Sequence, residues 1–333
     1  MTTNENENEQ SKATSLMDLR GLVIESYFSD KQLDGIPHPD SPGEMINTAE
    51  FGVPIFISKY LMPVIDIVGA PRHIIAVADG GNNFRKQILP DYKSNRVDSM
   101  HPAIKEQVNE CYQLCCGVLK SLGVPIVYLE DEEADDVLAY FCKALRGYKI
   151  IHTVDRDLIA LSSDEVSVFR KGQVETEFSD KGVTIPVELM YLYKSIVGDS
   201  SDGYKGIAGV GPKGYESMLE EFGEDGMLQL SGLLDSKDRS AINSVAPNTS
   251  NKPFLKCHAD VINWFAQYKV AKLHPELCTP SNLTWVQRTP DSDRLLAALS
   301  ASKCMDLMED LEQYCYTQTL VTSDNLEDVE KKS

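Results

Sequence analysis

Carboxylate side chains follow directly after three predicted β-strands of this chain. They are Asp79 after residues 73–78, Glu133, Asp135 and Asp136 after residues 125–129, and Asp155 and Asp157 after residues 149–154. The carboxyl ends of parallel strands meet at one edge of a sheet, so we expect these side chains to converge on one site. A single Asp after a strand is more often a helix N-cap. Three successive strands that end in this way favour a shared site.

Such a cluster predicts bound metal ions. Two carboxylates about 5 Å apart repel by roughly 3 kcal/mol at an effective dielectric near 20, so half a dozen of them need cations between them. Hard oxygen ligands select Mg²⁺ or Mn²⁺ over zinc or copper. The size of the cluster predicts two ions about 4 Å apart, which is the arrangement used for displacement at phosphorus.

A second segment, residues 197–213, combines acids with a glycine-rich turn. It contains two further candidate metal ligands, Asp199 and Asp202, and the candidate DNA-binding residues Lys205, Gly206, Gly209, Gly211 and Lys213. Glycines allow close approach of the backbone to a ligand, and Pro212 is favoured at the first position of a helix. Free amides at that helix N-terminus suit a phosphate. The pattern predicts a helix–hairpin–helix that holds DNA backbone, with K⁺ as a further candidate ligand. A plain connector is the alternative.

The elements that position these residues alternate along the chain. We predict strands at 73–78, 125–129 and 149–154, a hairpin of 166–169 with 174–178, and helices at 103–122 and 134–145. Strands separated by helices predict an α/β fold with a mostly parallel central sheet flanked by helices. We expect a catalytic domain over 14–190 and a smaller helical domain over 191–322, with the helix–hairpin–helix at about 191–222. Residues 231–257 have the composition of a loop, and 1–13 and 323–333 that of disordered tails.

The formal net charge of −19 opposes nucleic-acid binding unless basic residues are clustered locally. Such a cluster lies between residues 82 and 105. It contains Arg85, Lys86, Lys93, Arg96 and Lys105, with only Asp91 and Asp98 as acids. Phe84 and Tyr92 lie among these bases and are able to stack on a frayed base. We therefore expect a local basic path for DNA.

Other features exclude several classes of protein. The eight cysteines lack zinc-site spacing, so we expect reduced and mostly buried thiols. No uninterrupted apolar run reaches the roughly 18 residues of a membrane span, and the first residues lack the basic and apolar regions of a signal peptide. We expect no membrane partner, a monomer, and a cytoplasmic location, which is the host cytoplasm if a phage encodes the protein.

Several motifs together resemble the 5′→3′ exonuclease / flap endonuclease family. That family includes the 5′-nuclease domain of bacterial DNA polymerase I and the stand-alone phage exonucleases. The motifs, within residues 16–225, are Ala-Asp-Gly at 78–80, Phe-Arg at 84–85, Pro-Asp-Tyr-Lys-Ser-Asn-Arg at 90–96, Glu-Ala-Asp-Asp at 133–136, Asp-Arg-Asp-Leu at 155–158, and Gly-Asp-Ser-Ser-Asp at 198–202 followed by Gly-Ile-Ala-Gly-Val-Gly-Pro-Lys at 206–213. Gly203-Tyr204-Lys205 stands where the polymerase-type proteins have Asn-Ile-Pro, so the motifs are closest to the small phage exonucleases.

The resemblance implies a PIN-like core and a role for each motif. Asp79, Glu133, Asp135 and Asp136 would hold the first metal, and Asp155, Asp157, Asp199 and Asp202 the second. Lys93 and Arg96 would contact the scissile phosphate and stabilise its developing charge. We add Arg85 and Tyr92 as catalytic candidates, Lys86 as a DNA contact, and residues 80–105 as an arch over the site.

Asp18 is the candidate ligand from the first strand. In the family this strand ends in Asp-Gly, with an Arg-Ala-Tyr-Phe block seven residues after the Asp. Here Asp18 has the corresponding spacing from Ser26-Tyr27-Phe28. Leu19 replaces the glycine and Glu25 the arginine, so the match is partial.

The leading hypothesis is a metal-dependent 5′→3′ exonuclease or structure-specific 5′ nuclease. Its substrate would be DNA with a free 5′ end, a flap or an RNA primer, and its role DNA replication or primer and flap removal, with RNase H-type activity. A two-metal hydrolysis would leave a 5′-phosphorylated product. The alternatives are a dedicated flap endonuclease, a catalytically inactive DNA-structure-binding protein, and a Mg²⁺-dependent small-molecule phosphatase. The acid set counts against the inactive binder, and the hairpin segment counts against the phosphatase.

Overall fold

A central β-sheet organises the computed structural model, which describes residues 13–29, 35–81, 83–94, 100–245 and 248–315. The strands in chain order are β1 (Thr14–Asp18), β2 (Ile36–Pro37), β3 (Met45–Ile46), β4 (Ile74–Val77), β5 (Ile126–Tyr128), β6 (Lys149–His152), β7 (Val166–Arg170), β8 (Gln173–Glu175), β9 (Phe178–Asp180), β10 (Val183–Ile185) and β11 (Thr284–Val286). Seven of them form the sheet, in the order β11-β5-β4-β1-β6-β7-β8. The pairs β2–β3 and β9–β10 form separate hairpins.

The sheet is parallel in its centre and antiparallel at its edges. The strands from β5 to β7 pair in parallel, whereas β11 and β8 are antiparallel to their neighbours. Successive residues point to opposite faces: Leu16 packs in one hydrophobic core, and Met17 packs in the core on the other side. Both faces of the central strands are therefore apolar, as covered parallel strands require. The predicted mostly parallel α/β sheet is confirmed.

Helices cover both faces of the sheet. The α-helices are α1 (Leu19–Phe28), α2 (Ala49–Phe56), α3 (Met62–Val68), α4 (Asn83–Ile88), α5 (Pro102–Ser121), α6 (Ala134–Ala144), α7 (Met190–Val197), α8 (Pro212–Ser236), α9 (Arg239–Val245), α10 (Lys252–Ala259), α11 (Val261–Ala271), α12 (Ser292–Ala301) and α13 (Met308–Glu312). Buried residues of α1, α2, α5 and α12 share one core, and those of α6, α7, α8 and α11 share the other. The cysteines are free thiols, and six of the eight are buried, as expected.

Two expectations about the C-terminal third need correction. The segment 231–257 is largely helical, since α8 extends to Ser236 and α9 and α10 follow. Its polar residues serve in part as caps: the Asn251 side chain accepts a hydrogen bond of 2.9 Å from the Phe254 amide at the start of α10. The helical domain also does not extend to residue 322, because β11 pairs with β5 and α12 packs on α5.

Residues 49–68 form a continuous helical stretch through α2, a π-helical turn (Ile57–Leu61) and α3. Its length and composition would suffice for a membrane span, a property that the absence of an uninterrupted apolar run did not predict. It carries the charged residues Glu50, Lys59 and Asp66. Its buried side chains, such as Val53 and Phe56, belong to the core shared with α1 and α5, which accounts for their apolar character. Of the predicted tails, residues 1–12 and 323–333 lie outside the described residues.

Candidate active site

The carboxyl ends of β1, β4 and β6 and the loop after β5 surround an open cavity of about 620 Å³. This edge of the sheet is where parallel strands place their functional residues. Seven of the nine predicted carboxylates line the cavity: Asp18, Asp79, Glu133, Asp135, Asp155, Asp157 and Asp199. Asp202 lies beside them, next to Asp157 and Asp199. The structure therefore brings eight of the predicted acids together.

Asp18 is the last residue of β1 and lies in this group. It is buried, and its Oδ2 accepts a hydrogen bond of 2.7 Å from the Thr153 hydroxyl. Burial, reinforced by the negative charges of Asp155 and Asp79, raises the pKa of Asp18 to about 7. A Cβ on Gly21 would come within 2.6 Å of Asp18 Oδ2, so a glycine one turn into α1 provides the room for this carboxylate. Asp18 thus lies in the acid group although Leu19 and Glu25 replace the glycine and the arginine of the family pattern.

Asp135, Glu133 and Asp79 come together at the start of α6. Burial first, and then the charges of Asp155 and Asp18, raise the pKa of Asp135 well above its usual range. Asp79 Oδ1 accepts a hydrogen bond of 3.1 Å from the Ala134 amide, so this acid also caps α6. Uncompensated buried carboxylates have such raised pKa values, and a hard cation between them removes the repulsion. The all-oxygen donor set fits a divalent ion.

A second group consists of Asp157, Asp199 and Asp202, whose carboxylate oxygens lie within 4.8 Å of one another. The ammonium group of Lys194, from the buried face of α7, lies between two of them. It contacts Asp157 Oδ2 closely and lies 2.7 Å from Asp199 Oδ2. Burial raises the pKa of Asp157 to about 6. Burial also opposes ionisation of Asp199, but Lys194 prevails and lowers the pKa of Asp199 to about 2.

Sequence reasoning did not identify Lys194. A lysine in an apolar helix, five residues before Asp199, was the available signal. Burial disfavours its charge, yet the two carboxylates raise the pKa of Lys194. The buried ammonium is an internal counter-ion for the second carboxylate group.

Lys93 and Tyr92 link the two groups of acids. Lys93 Nζ lies 2.6 Å from Glu133 Oε1 and 4.0 Å from Asp202 Oδ1. The Tyr92 hydroxyl lies 3.0 Å from Glu133 Oε2 and 3.1 Å from Asp202 Oδ2. The backbone at Lys93 has φ of +53°, an uncommon conformation for a residue with a side chain, and its amide donates to the Asp202 carbonyl at 2.7 Å. Both residues therefore lie against the acid cluster. Tyr92 is 2% exposed, so the expectation that it stacks on a frayed base is corrected, and the role of Lys93 at the phosphate stays a prediction.

Two predicted site residues are directed away from the cavity. The carboxylate of Asp136 is fully buried and accepts two hydrogen bonds from the Arg85 guanidinium. Its Oδ1 also accepts from the His274 amide at 2.7 Å. Consecutive residues of a helix point about 100° apart, so Asp135 and Asp136 cannot both face the cavity. The assignment of Asp136 as a metal ligand is corrected, because its carboxylate is taken up by this ion pair. Arg85 also lies 3.5 Å from Glu133 Oε2, so its catalytic role stays a prediction.

The remaining basic candidates are placed as follows. Arg96 lies outside the described residues, as does the rest of 95–99, so its predicted role stays a prediction. Lys86 is exposed on α4. Besides Lys194, three more cations that sequence reasoning did not select line the cavity: Arg20, Arg156 and Lys181. They provide local positive charge beside the carboxylates in an acidic chain.

The glycine-rich segment forms a turn between α7 and α8, and α8 begins at Pro212 as predicted. Gly206 has φ of +67°, and a Cβ there would come within 2.4 Å of the Gly198 amide nitrogen, so only glycine fits. Lys205, Gly209, Gly211 and Lys213 are exposed. An additional lysine, Lys256 of α10, donates a 3.0 Å hydrogen bond to the Gly209 carbonyl. The Gly209 carbonyl of the hairpin therefore already contacts a cation.

Comparisons with known proteins agree with this geometry. The family described as "5'-3' exonuclease, N-terminal resolvase-like domain" matches residues 15–186. The chain is 33% identical to a 5'-3' exonuclease of Aquifex aeolicus over 46% of this chain and 54% of the relative. It is 26% identical to a 5'-3' exonuclease of Streptomyces coelicolor over 86% of this chain and 94% of the relative. DNA polymerase I of Borreliella burgdorferi is 32% identical, and the match spans 25% of its length. The chain thus spans about half the length of the Aquifex relative and a quarter of the polymerase.

Solved structures share the fold. Bacteriophage T5 5'-exonuclease with bound zinc ions superposes with a TM-score of 0.54 at 19% identity, covering 91% of this chain and 100% of that chain. A complex of bacteriophage T5 flap endonuclease with DNA and metal ions has a TM-score of 0.53, also at 19% identity. At this identity the likeness concerns the fold alone. It extends over both the sheet and the helical part that carries the hairpin.

Proposed function

Since the chain belongs to the 5′-3′ exonuclease family, we propose that it is a divalent-metal-dependent 5′ nuclease that hydrolyses phosphodiester bonds of DNA. The observation that carries the proposal is the convergence of eight carboxylates at one sheet edge, with an exposed glycine-rich hairpin on the same chain. A protein that only binds DNA has no need of so many converging acids. Burial, reinforced by the charges of neighbouring acids, raises the pKa values of Asp18 and Asp135.

The metal we propose is Mg²⁺, with Mn²⁺ as a substitute. One ion would be held by Asp18, Asp79, Glu133 and Asp135, and the other by Asp157, Asp199 and Asp202. Asp155 lies near the first group, since its charge acts on Asp18 and Asp135, and it precedes Asp157 by two residues. When bound, two such ions supply Lewis acidity toward the attacking and leaving oxygens of a phosphodiester. Oxygen-only donors suit these hard cations.

The side chains of this protein have their own tasks at the phosphate. Lys93 is paired with Glu133 at 2.6 Å. With Glu133 serving as a metal ligand, the Lys93 ammonium would be available to a phosphate oxygen, where it would stabilise the charge that develops during reaction. Tyr92 bonds Glu133 and Asp202 and keeps both carboxylates oriented. Arg96, by family resemblance, joins Lys93 at the phosphate.

The hairpin serves to hold duplex DNA. Exposed amides at the N-terminus of α8 suit a phosphate, and Lys205, Lys213 and Lys256 surround them with positive charge. Such contacts carry no sequence information, so the enzyme would follow any duplex. In a chain of net charge −19, these exposed lysines supply local positive charge at the hairpin.

We further propose that cutting starts at a 5′ end and is mainly exonucleolytic on duplex DNA, with flap cutting and removal of RNA from hybrids as related activities. The target nucleotides must unpair to reach the acid cluster at the ends of the strands. Unpairing within a duplex costs a few kcal/mol, whereas a frayed 5′ end supplies unpaired nucleotides cheaply. This activity suits primer or flap removal during replication. A dedicated flap endonuclease is the alternative.

The test uses a 5′-labelled blunt duplex, a 5′-flapped duplex and a covalently closed circle, each with Mg²⁺ or with EDTA. We expect early release of short labelled products from the blunt duplex, a resistant closed circle, and no cutting in EDTA. Asp155→Ala should abolish cutting and retain DNA binding. Cutting of only the flapped duplex would select the flap endonuclease. Rapid cutting of the circle, or a fully active Asp155→Ala variant, would refute the proposal.

A further inference from the structure

A second cavity, of about 190 Å³, lies on the other side of α11 from the acid cluster. We call it the lateral pocket. Three aromatic side chains line it, Phe84 of α4 and Phe265 and Tyr268 of α11, and three lysines surround it: Lys237, Lys269 and Lys272. Its volume is below the roughly 300–1,000 Å³ of pockets for drug-sized ligands, so it fits a single small ring system.

Neighbouring side chains hold the aromatic surface of the pocket in place. The edge of Phe84 packs against the His274 ring, with centroids 5.0 Å apart and planes at 69°. Phe265 is half-buried and packs against the core that α6, α7, α8 and α11 share. Lys269 Nζ lies 4.7 Å from the centre of the Phe84 ring, a cation–π geometry that keeps an ammonium group over the pocket. Flat apolar surface and positive charge therefore meet in one small space.

The charge at the rim is available to a ligand. Lys272 pairs with Asp235 at 2.6 Å; the Lys272 side chain is 23% exposed and the Asp235 side chain 52%. The pair lies at the solvent boundary, where a phosphate is able to compete with Asp235 for the ammonium group. Glu276, the other acid in the lining, pairs with His274 Nδ1 at 2.7 Å. Lys237 is exposed at the end of α8. Three ammonium groups against two acids is a positive balance in a chain of net charge −19.

The pocket is also connected to the acid cluster through the backbone. Arg85, the residue after Phe84, donates hydrogen bonds of 3.0 Å to the carbonyls of Val270 and Lys272. Val270 and its neighbour Ala271 line a narrow space shared with Glu133 and Asp135, whereas Lys269 and Lys272 face the lateral pocket. A single layer of helix, α11 with α4, thus separates the two sites.

We propose that the lateral pocket binds one unpaired nucleotide, with the base against Phe84 and Phe265 and the phosphate between Lys237, Lys269 and Lys272. Stacking on aromatic rings combined with lysine contacts to the backbone is how proteins hold single strands without base readout. The ligand chemistry is a nucleoside phosphate, either within a 5′ single-stranded tail or as a free mononucleotide. The first source rests on the proposed function, since it assumes that the chain acts on DNA with an unpaired 5′ end.

The test measures binding in EDTA, where no cutting interferes. Fluorescence anisotropy compares a hairpin duplex that has a short 5′ tail with the same duplex without one. Lys269→Glu combined with Lys272→Glu should weaken binding of the tailed duplex roughly tenfold, the effect of losing one stacked and charge-paired nucleotide. Binding of the untailed duplex should change less than about twofold. Lys237→Glu alone should act in the same direction, and its exposed position makes misfolding no concern.

The matched control is Lys120→Glu combined with Lys303→Glu, which makes the same charge change in the elements on the other face of the sheet. It should leave the effect of the tail intact. In the wild type, 5-iodouracil within the tail should crosslink to the peptides that contain Phe84 or Phe265. Thymidine monophosphate that competes with the tail identifies a mononucleotide site, and lack of competition identifies a site for the strand. Equal losses for both duplexes, or crosslinks elsewhere, overturn the proposal.

The two proposals fail separately. The lateral-pocket variants keep all the carboxylates, so they should cut the untailed duplex with Mg²⁺ at the wild-type rate. If the wild type cuts no DNA, the proposed nuclease function fails, while a tail-specific loss of binding still supports the pocket. If cutting is normal and the tail adds nothing to affinity, only the pocket proposal is refuted.

Discussion

Arg85 and Asp136 form a buried two-point ion pair, with Nη1 2.6 Å from Oδ2 and Nη2 2.9 Å from Oδ1. The Arg85 guanidinium is 2% exposed and Asp136 is fully buried. Arg85 also bonds two carbonyls at the end of α11, and Asp136 accepts the His274 amide. The pair therefore joins α4, the active-site helix α6 and the C-terminal helices at one point.

The first prediction follows from this pair. Asp136→Asn should destabilise the protein by about 3–5 kcal/mol, because the buried guanidinium loses its two-point partner and keeps only the longer contact of 3.5 Å with Glu133. It should leave the affinity for Mn²⁺ nearly unchanged, since Asp136 does not face the cavity. Asp135→Asn should do the opposite and weaken Mn²⁺ binding. Urea unfolding and Mn²⁺ titration of both variants measure the difference, and weaker Mn²⁺ binding without lost stability in Asp136→Asn would restore it as a metal ligand.

The second prediction concerns pH. Burial raises the pKa of Asp18 to about 7 and that of Asp157 to about 6, above the value of 3.8 expected in the unfolded chain. Between pH 4 and 7 the metal-free folded state therefore binds more protons than the unfolded state, so these groups make stability fall as pH rises. Each unit of pKa difference amounts to about 1.4 kcal/mol. Ionisation of Asp18 alone should therefore lower the free energy of unfolding of the metal-free protein by on the order of a few kcal/mol.

Bound Mg²⁺ should offset the fall in stability that the metal-free protein shows as pH rises. The stabilisation by Mg²⁺ should therefore grow from pH 5 to pH 8. His152, whose pKa is lowered to about 4 by burial, acts in the opposite sense on both forms and cancels in this difference. The measurement is the free energy of unfolding in urea, with EDTA and with Mg²⁺, at both pH values. A Mg²⁺ effect that shrinks with rising pH would contradict the raised carboxylate pKa values.

The third prediction concerns Lys194, the internal counter-ion of Asp157 and Asp199. Lys194→Met should lower the stability of the EDTA-treated protein, because the two acids lose their cation. It should also tighten binding of Mn²⁺ at this group, because no ammonium competes with the metal. Lys213→Met, an exposed lysine at the hairpin, is the control and should change neither quantity. Weaker Mn²⁺ binding in Lys194→Met would show that the ammonium assists the metal instead of competing with it.

The fourth prediction separates residues that act on the rate of cutting from residues that act on DNA affinity. Lys93→Ala should lower the single-turnover rate of cutting by about 10²–10³-fold, the usual effect of removing a charge-stabilising donor, with little change in duplex affinity. Lys213→Ala combined with Lys256→Ala should weaken duplex binding and reduce the slope of log affinity against log salt by roughly one per lost phosphate contact. Its single-turnover rate at saturating enzyme should stay near that of the wild type. If both variants changed rate and affinity equally, the separate roles of Lys93 in catalysis and of Lys213 and Lys256 in binding would be refuted.

Local patterns were sufficient to predict the main features of this protein. Apolar runs with acids at their ends indicated strands, and the rule that parallel strands end at one edge was enough to place Asp79, Asp135 and Asp155 in one site. The start of α8 at Pro212 and the need for glycine at Gly206 are equally local, because they depend on backbone geometry within a few residues. The family resemblance rests on these same short segments.

Only the tertiary structure decided which neighbours each side chain has. Asp136 faces Arg85 and not the cavity because the helix phase and the packing of α11 assign it that side. Lys194 and Lys256 come from other helices to the acids and the hairpin, and β11 returns to pair with β5 from more than a hundred residues away. Strand periodicity and turn chemistry act between near neighbours in the chain. Ion pairing and packing act between residues that are neighbours only in space, and no local pattern records those.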